Sequence, residues 1–218
     1  MTRLKIDGLR DTAHALAAAD AGADFLGFVF VEGVRRQLRV DEAAKVIEEY
    51  RESHGPGGPR LVGIFADQPV EFINAVVARC GLDFVQLCGD EPPELWGAID
   101  AGVIRQVRVR DDVPLNVAVD EARRKVSEAV SAGHMAVLDK DRAGSFGGTG
   151  ETFDWAIAKE VAREFDVLLA GGLTPQNVAA AIEAASPWGV DVSSGVETDG
   201  HKDPSKIDAF AWAVRNAE

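Results

Sequence analysis

The stretch of residues 135–155, MAVLDKDRAGSFGGTGETFDW, shows how the whole chain is built. It reads as a short apolar strand that ends at Asp139, then a glycine-rich loop, then a helix that opens at residues 152–154. A carboxylate therefore lies at the carboxyl end of a strand, which is where barrel enzymes carry their chemistry. A surface turn with an incidental acid is the alternative, and the rest of the chain decides between them.

The same order of a short apolar strand and a longer helix repeats along the chain. Strands are predicted over residues 3–7, 24–30, 61–66, 83–88, 103–109, 135–139, 166–170 and 189–193. Helices are predicted over residues 11–23, 41–54, 69–80, 92–101, 115–132, 152–164, 175–185 and 204–216. Strands that alternate with helices form parallel sheets, because each helix carries the chain back to the start of the next strand.

Eight strand–helix units in 218 residues favour a closed (β/α)8 barrel, the TIM barrel. An open doubly wound sheet is the competing architecture, but it usually has fewer strands. When it binds a nucleotide, it carries a GxGxxG loop after the first strand, and the first strand here is followed by GLR instead. Because no linker, low-complexity segment or clear repeat interrupts the pattern, residues 1–218 are expected to form one domain.

The charge balance restricts the partners. The formal net charge is −13 at pH 7, so the chain repels nucleic acid and anionic membranes, and neither is an expected partner. It also repels a phosphorylated metabolite at long range, so a phosphate site has to be built locally from backbone N–H groups and helix N-termini. The sequence leaves the oligomeric state open.

The cysteines, histidines and N-terminus favour a cytoplasmic protein without a metal or another cofactor. Cys80 and Cys88 fit no metal motif and are too few for a disulfide framework, which favours a reducing cytosol. The histidines show no HExxH or paired spacing; they are His14, His54, His134 and His201. Residues 1–8 lack the apolar run of a signal peptide, and no stretch has the length of a transmembrane helix.

In a barrel the active site is the ring of strand carboxyl ends. The residues that end the predicted strands or follow them are Asp7, Arg35, Arg36, Cys88, Arg108, Asp139, Gly171, Gly172, Ser193, Ser194 and Gly195. Asp7 and Asp139 would face one pocket, where two carboxylates can divide the roles of base and acid. A turn-forming role before Gly8 is the alternative for Asp7. Lys5 shares its strand face and is expected to pair with a buried carboxylate.

A phosphate site is predicted after strands seven and eight. Gly171 and Gly172 lead into a helix that begins at Pro175, and the sequence SSG at residues 193–195 follows the next strand. Glycines let the backbone approach a ligand closely, and a helix N-terminus presents free N–H groups. Barrels commonly bind phosphate at these two loops, although a tight turn alone would also explain the glycine pair.

Arg35 and Arg36 follow the second strand and are candidates for binding a carboxylate through bidentate hydrogen bonds. A solvated basic loop is the alternative. Cys88 has no basic neighbour in sequence that would activate a thiolate, so it is expected to be a small packing residue, as is Cys80.

Seven sequence motifs, in this order and spacing, resemble the phosphoribosylanthranilate isomerase family of tryptophan biosynthesis along essentially the whole chain. They are KIDGLR at residues 5–10, VGIF at 62–65, QLCGDE at 86–91, LD at 138–139, GGTGETFDW at 147–155, LAGGLTPQNV at 169–178 and VDVSSGVE at 190–197. The resemblance implies the Amadori rearrangement of N-(5'-phosphoribosyl)anthranilate, an aminoaldose, to an aminoketose without a cofactor.

The resemblance also implies roles for single residues. Asp139 falls on the family's general acid, and Arg36 on the arginine that grips the anthranilate carboxylate. Gly172, Ser194 and Gly195 fall in the phosphate loops of the family. Residues 142–151 become a candidate lid over the sugar.

The main departure is at the base, where the family has a cysteine and this chain has Asp7. A carboxylate can remove a proton, although its unperturbed pKa of ~3.9 makes it a weak base. Cys88 replaces a family histidine, and Arg35 often corresponds to proline. Two alternatives therefore stay open: a histidine-pathway isomerase, which uses an aspartate base but needs a second phosphate site, and a metabolite-binding barrel that has lost catalysis.

Overall fold

The computed structural model describes residues 1–140 and 152–217. The candidate lid over residues 142–151 lies outside the described residues. Eight parallel strands form a closed barrel in chain order, each hydrogen-bonded to the next, and β8 pairs with β1. The strands are β1 (Arg3–Asp7), β2 (Phe25–Val29), β3 (Arg60–Phe65), β4 (Phe84–Leu87), β5 (Gly102–Val109), β6 (Met135–Lys140), β7 (Val167–Leu169) and β8 (Gly189–Val192). The predicted (β/α)8 barrel is therefore confirmed.

A helix follows each strand in the described residues. The helices are α1 (Thr12–Asp20), α2 (Val40–His54), α3 (Val70–Cys80), α4 (Pro93–Trp96), α5 (Leu115–Ser131), α6 (Trp155–Ala162), α7 (Val178–Ala185) and α8 (Pro204–Arg215). Side-chain caps set three of the starts, because Asp11, Asp154 and Asp203 each accept a hydrogen bond from a first-turn N–H. None of the helices in residues 1–140 and 152–217 is both long and apolar enough to cross a membrane.

Several predicted helix boundaries were wrong. The helix predicted over residues 11–23 spans Thr12–Asp20, and the helix predicted over residues 152–164 spans Trp155–Ala162. Two further differences have local reasons. The helix predicted over residues 92–101 is the single turn α4, because Asn74 of α3 donates to Ala98 O (2.8 Å) and accepts from Asp100 N (3.0 Å), which holds that segment as a loop. The helix predicted from Pro175 begins at Val178, because the Asn177 side chain is hydrogen-bonded to the loop before it. It accepts from Thr174 N (2.7 Å) and donates to Gly172 O (3.0 Å). The chain also forms an unpredicted two-stranded ribbon, β9 (Glu197–Thr198) and β10 (His201–Lys202), after β8.

The barrel interior is apolar near the amino ends of the strands and polar near their carboxyl ends. At the amino ends of the strands, the interior is filled by an apolar cluster that contains Phe25, Val62, Ile104, Val137 and Leu168. Nearer the carboxyl ends, the buried polar residues that face the interior include Gln86, Gln106 and Asp191. The larger apolar core lies between the barrel and the helices and excludes water from that layer. This arrangement directs polar chemistry to one end of the barrel.

Candidate active site

A pocket opens at the carboxyl ends of the strands, as expected for this fold. Seven predicted substrate or catalytic residues line it together: Asp7, Arg36, Asp139, Gly171, Gly172, Ser194 and Gly195. Cys88 and Ser193 line it too. Arg35 and Arg108 lie elsewhere: Arg35 is half-exposed beside the rim, and Arg108 donates to the backbone of Cys88 (2.7 Å) and pairs with Asp90 (3.2 Å).

The Asp139 carboxyl is held in place by two hydrogen bonds. Gln106 Nε2 donates to Oδ2 over 2.7 Å, and the backbone N–H of Lys140 donates to Oδ1 over 2.8 Å. Burial raises the pKa of Asp139 above its usual value, and the nearby charge of Asp7 acts in the same direction. A carboxyl group with a raised pKa keeps its proton to higher pH, so this side chain is suited to donating one.

Lys5 is completely buried and pairs with two carboxylates, whereas the sequence predicts pairing with one. Its ammonium contacts Asp7 Oδ1 and lies 3.1 Å from Asp191 Oδ2, across the β1–β8 pairing that sets the two residues side by side. Burial works against the charged form of Lys5, but the two carboxylates outweigh it and raise its pKa. Burial and the charge of Asp7 raise the pKa of Asp191 well above its usual value. Sequence reasoning gave Asp191 no role.

The Asp7 carboxylate fits into the barrel because of a glycine on the next strand. Gly27 of β2 pairs with Asp7, and a side chain at Gly27 would overlap the Asp7 carboxylate. The glycine therefore lets this carboxylate lie against the strand backbone at the floor of the pocket. Glycine within an apolar strand was a signal for such a close approach, although the sequence does not say which group approaches.

The two predicted phosphate loops lie next to each other. Gly171 and Gly172 both have positive φ (85° and 64°), a conformation that glycine adopts readily. Asn177 closes this loop by accepting from Thr174 N (2.7 Å) and donating to Gly172 O (3.0 Å). The short 3-10 helix Ser194–Val196 begins at the second loop, and the first N–H groups of a helix lack an intrahelical acceptor. Such N–H groups can bind an anion.

Arg36 reaches the pocket from the loop after β2 and is held there by Glu197. Arg36 Nε and Nη2 donate to the two Glu197 carboxylate oxygens over 2.6 and 3.0 Å. Lys202 of β10 donates to Glu197 Oε1 (2.9 Å) and to the backbone oxygen of Ser193 (2.7 Å). Burial lowers the pKa of Lys202 to about 8 despite the charge of Glu197. Sequence reasoning assigned no role to Glu197 or Lys202.

An apolar wall forms the side of the pocket near β2, β3 and β4. Its residues are Val29, Val31, Val34, Ile64 and Cys88. Burial raises the pKa of the Cys88 thiol to about 12, so it is a neutral packing group. Within the described residues, no group of three or more His, Cys, Asp or Glu side chains could hold a metal ion.

The geometry can be compared with known proteins. A sequence model of N-(5'-phosphoribosyl)anthranilate (PRA) isomerase matches residues 4–213. The chain belongs to this family. An N-(5'-phosphoribosyl)anthranilate isomerase of Dehalococcoides mccartyi is 39% identical over 220 residues, which cover 100% of this chain and 98% of the relative. The one of Roseiflexus castenholzii is 45% identical over 217 residues, 98% of each chain.

Crystal structures of the same family share the fold. Phosphoribosyl anthranilate isomerase from Thermotoga maritima matches with a TM-score of 0.82 at 32% identity, covering 100% of this chain and 98% of that one. A phosphoribosyl anthranilate isomerase in complex with reduced 1-(o-carboxyphenylamino)-1-deoxyribulose 5-phosphate matches with a TM-score of 0.81 at 30% identity, covering 99% of both chains.

As a member of the phosphoribosylanthranilate isomerase family, the chain is an aldose–ketose isomerase of tryptophan biosynthesis. Of the three hypotheses from the sequence, the findings support this one. The pocket also explains why the residues that sequence reasoning missed are hard to find. Two of the missed residues, Asp191 and Glu197, each lie far along the chain from a partner. Asp191 is 186 positions from Lys5, and Glu197 is 161 positions from Arg36, so only the closed barrel brings each pair together.

Proposed function

We propose that the pocket binds N-(5'-phosphoribosyl)anthranilate and rearranges it with Asp139 as general acid and Asp7 as general base. The observation that carries the proposal is that both carboxylates line one pocket together with the two phosphate loops. The ligand in the related crystal structure, a reduced deoxyribulose 5-phosphate with a carboxyphenylamino group, supports a phosphorylated substrate of this kind.

The pocket suggests how the substrate is oriented. The phosphate binds at the N–H groups of Gly172 and of Ser194 and Gly195. The anthranilate ring packs against the apolar wall of β2, β3 and β4, on the far side of the barrel from β7. The free edge of the Arg36 guanidinium receives the anthranilate carboxylate. The ribose then lies over the strand ends that carry Asp7 and Asp139.

The proposed reaction balances without a cofactor. Asp139 donates its proton to the ring oxygen as the bond from that oxygen to ribose C1 breaks, and the amine nitrogen forms a protonated imine with C1. Asp7 then removes the proton from C2, and the C2–H electrons form a C1=C2 double bond while the imine becomes an amine. The resulting enol becomes the ketone when its hydroxyl returns a proton to Asp139 and C1 takes up the proton that Asp7 holds, which restores both carboxyl groups.

The buried Lys5 supports Asp7 in this role. The ammonium neutralises the ionised carboxylate, which a low-dielectric interior would otherwise disfavour, and fixes its position at the pocket floor. Asp139, without a cation at hydrogen-bond distance in the described residues, is biased toward its protonated form instead. Two carboxyl groups in one pocket thus have different environments, which is the arrangement that separates an acid from a base.

The test is a coupled assay of purified protein on two aminoaldoses, phosphoribosylanthranilate and the bis-phosphorylated substrate of the histidine-pathway isomerase. We expect turnover of the first only, because the side of the pocket formed by β2, β3 and β4, where a second phosphate would have to bind, is lined by apolar side chains. Binding of phosphoribosylanthranilate without turnover would refute the proposal.

We further propose that residues 1–218 act as one barrel domain in the cytoplasm, since the relatives are bacterial biosynthetic enzymes.

A further inference from the structure

The Glu197 carboxylate is a meeting point for side chains from separate segments at the pocket rim. Arg36 and Arg35 reach it from the loop after β2, and Lys202 reaches it from β10. Only 6% of the Glu197 side chain is exposed. A carboxylate that is buried to this degree and still ionised needs cations around it, so Glu197 and its partners are built as one unit.

The position of Arg36 within this unit leaves half of its guanidinium available. A guanidinium is a planar fork with five N–H groups. Glu197 accepts from the edge formed by Nε and Nη2 (2.6 and 3.0 Å), so the edge formed by Nη1 and Nη2 is directed elsewhere. The stem of Arg36 lies directly on Gly8, where an added side chain would overlap Arg36 Cδ. Arg36 is therefore fixed by Gly8 on one side and Glu197 on another, and it lines the pocket.

We propose that Glu197 is a positioning residue that makes the pocket selective for a substrate with a carboxylate on its aryl amine. Glu197 fixes the guanidinium of Arg36 so that the second edge of the fork faces that carboxylate before the substrate arrives. The inference rests on the proposed function, in which Arg36 binds the anthranilate carboxylate.

The charges of the unit support this role. Burial opposes ionisation of Glu197, but the hydrogen bonds from Arg36 and the charge of Lys202 prevail and lower its pKa to about 2. The carboxylate is therefore ionised at every pH at which the enzyme would work. Arg36 and Lys202 together outweigh the single negative charge of Glu197, so the pocket rim keeps an excess of positive charge in a chain whose net charge is −13. That excess favours an anionic substrate group.

The experiment compares two substrates, N-(5'-phosphoribosyl)anthranilate and N-(5'-phosphoribosyl)aniline, which lacks the carboxylate. The quantity measured is the ratio of their kcat/KM values in the wild type and in Glu197→Gln, which keeps the shape of the side chain and removes its charge. Arg36→Met serves as the reference for complete loss of carboxylate recognition. Arg35→Met is the matched control, because Arg35 contacts the same carboxylate (2.5 Å) from a half-exposed position outside the pocket.

We expect Glu197→Gln to lower the ratio about tenfold or more toward the value of Arg36→Met, since a misplaced contact group costs up to about 100-fold in rate. Arg35→Met should keep the wild-type ratio within about twofold, because exposed ion pairs contribute little. Partial misfolding lowers activity on both substrates equally and leaves the ratio unchanged. An unchanged ratio in Glu197→Gln with normal wild-type turnover overturns the inference alone, whereas absent wild-type turnover overturns the proposed function and the inference with it.

Discussion

Replacing Gly195 with alanine would push apart the two loops that form the proposed phosphate site. A Cβ at Gly195 would lie 2.9 Å from the carbonyl carbon of Leu173 and 3.1 Å from Thr174 Cα, and closer still to Leu173 O. Ordinary contacts of this kind begin at 3.4 Å, and the contact with Leu173 O is the shortest, so the loop after β8 and the loop after β7 must separate by more than about 1 Å. Inserting a methyl group into a packed region costs roughly 1–3 kcal/mol of folding stability, which a barrel of this size survives.

A displacement of about 1 Å in a binding group lowers rates by up to about 100-fold, so we expect kcat/KM for phosphoribosylanthranilate to fall by about 10- to 100-fold in Gly195→Ala. The loss should lie mainly in KM, and inhibition by inorganic phosphate should weaken by a similar factor. The assay is steady-state turnover over a range of substrate and phosphate concentrations, with circular dichroism to establish folding.

The matched control is Gly97→Ala, at the end of α4, where an added Cβ meets no atom within 4 Å among the described residues. Its kinetic constants should equal those of the wild type. Unchanged KM and unchanged phosphate inhibition in a folded Gly195→Ala protein would refute the placement of the phosphate.

Three further predictions follow from the buried charges. Asp7→Cys restores the residue of the family and should move the acidic limb of the pH profile of kcat/KM to higher pH. The reason is that an unperturbed thiol has a pKa of ~8.5 and an aspartic acid a pKa of ~3.9. An acidic limb that does not move would speak against Asp7 as the base. Lys5→Met leaves Asp7 and Asp191 without their cation, so urea denaturation at pH 7 should show a loss of about 3–5 kcal/mol, and a loss below about 1 kcal/mol would contradict the pairing. Glu197 has a pKa of about 2 in the folded protein against a usual 4.5, so its stabilising contribution is present above pH 4.5 and is lost as the pH falls toward 2. The difference in folding stability between the wild type and Glu197→Gln should therefore shrink over that pH window. A constant difference would show that the charge of Glu197 is not involved.

The parts of the fold that depend on short-range patterns could be predicted from the sequence. The apolar strand with Asp139 at its end and the glycine pair at Gly171 and Gly172 are local signals, because strand periodicity and glycine at positive φ act within a few residues. The shortened α4 was not predictable in this way, since Asn74 of a different helix holds residues 98–100 as a loop.

The supporting network of the site was less accessible to sequence reasoning. The strands β9 and β10 have two residues each, too few for a periodic pattern, yet they bring Glu197 and Lys202 to the rim of the pocket. Asp191 stands in an apolar strand, and an acid in that context signals a buried partner. Its pairing with Lys5 becomes visible only when β8 closes the barrel against β1.

The central claim is that Asp7 and Asp139 act as base and acid in one pocket. The most direct measurement is kcat for phosphoribosylanthranilate in Asp7→Asn and Asp139→Asn, with thermal unfolding of each variant to show that it is folded. General acid–base groups contribute roughly 10²–10⁴-fold, so each substitution should lower kcat by that factor while the binding of inorganic phosphate is retained. A folded variant of either residue that keeps kcat within about threefold of the wild type would contradict the claim.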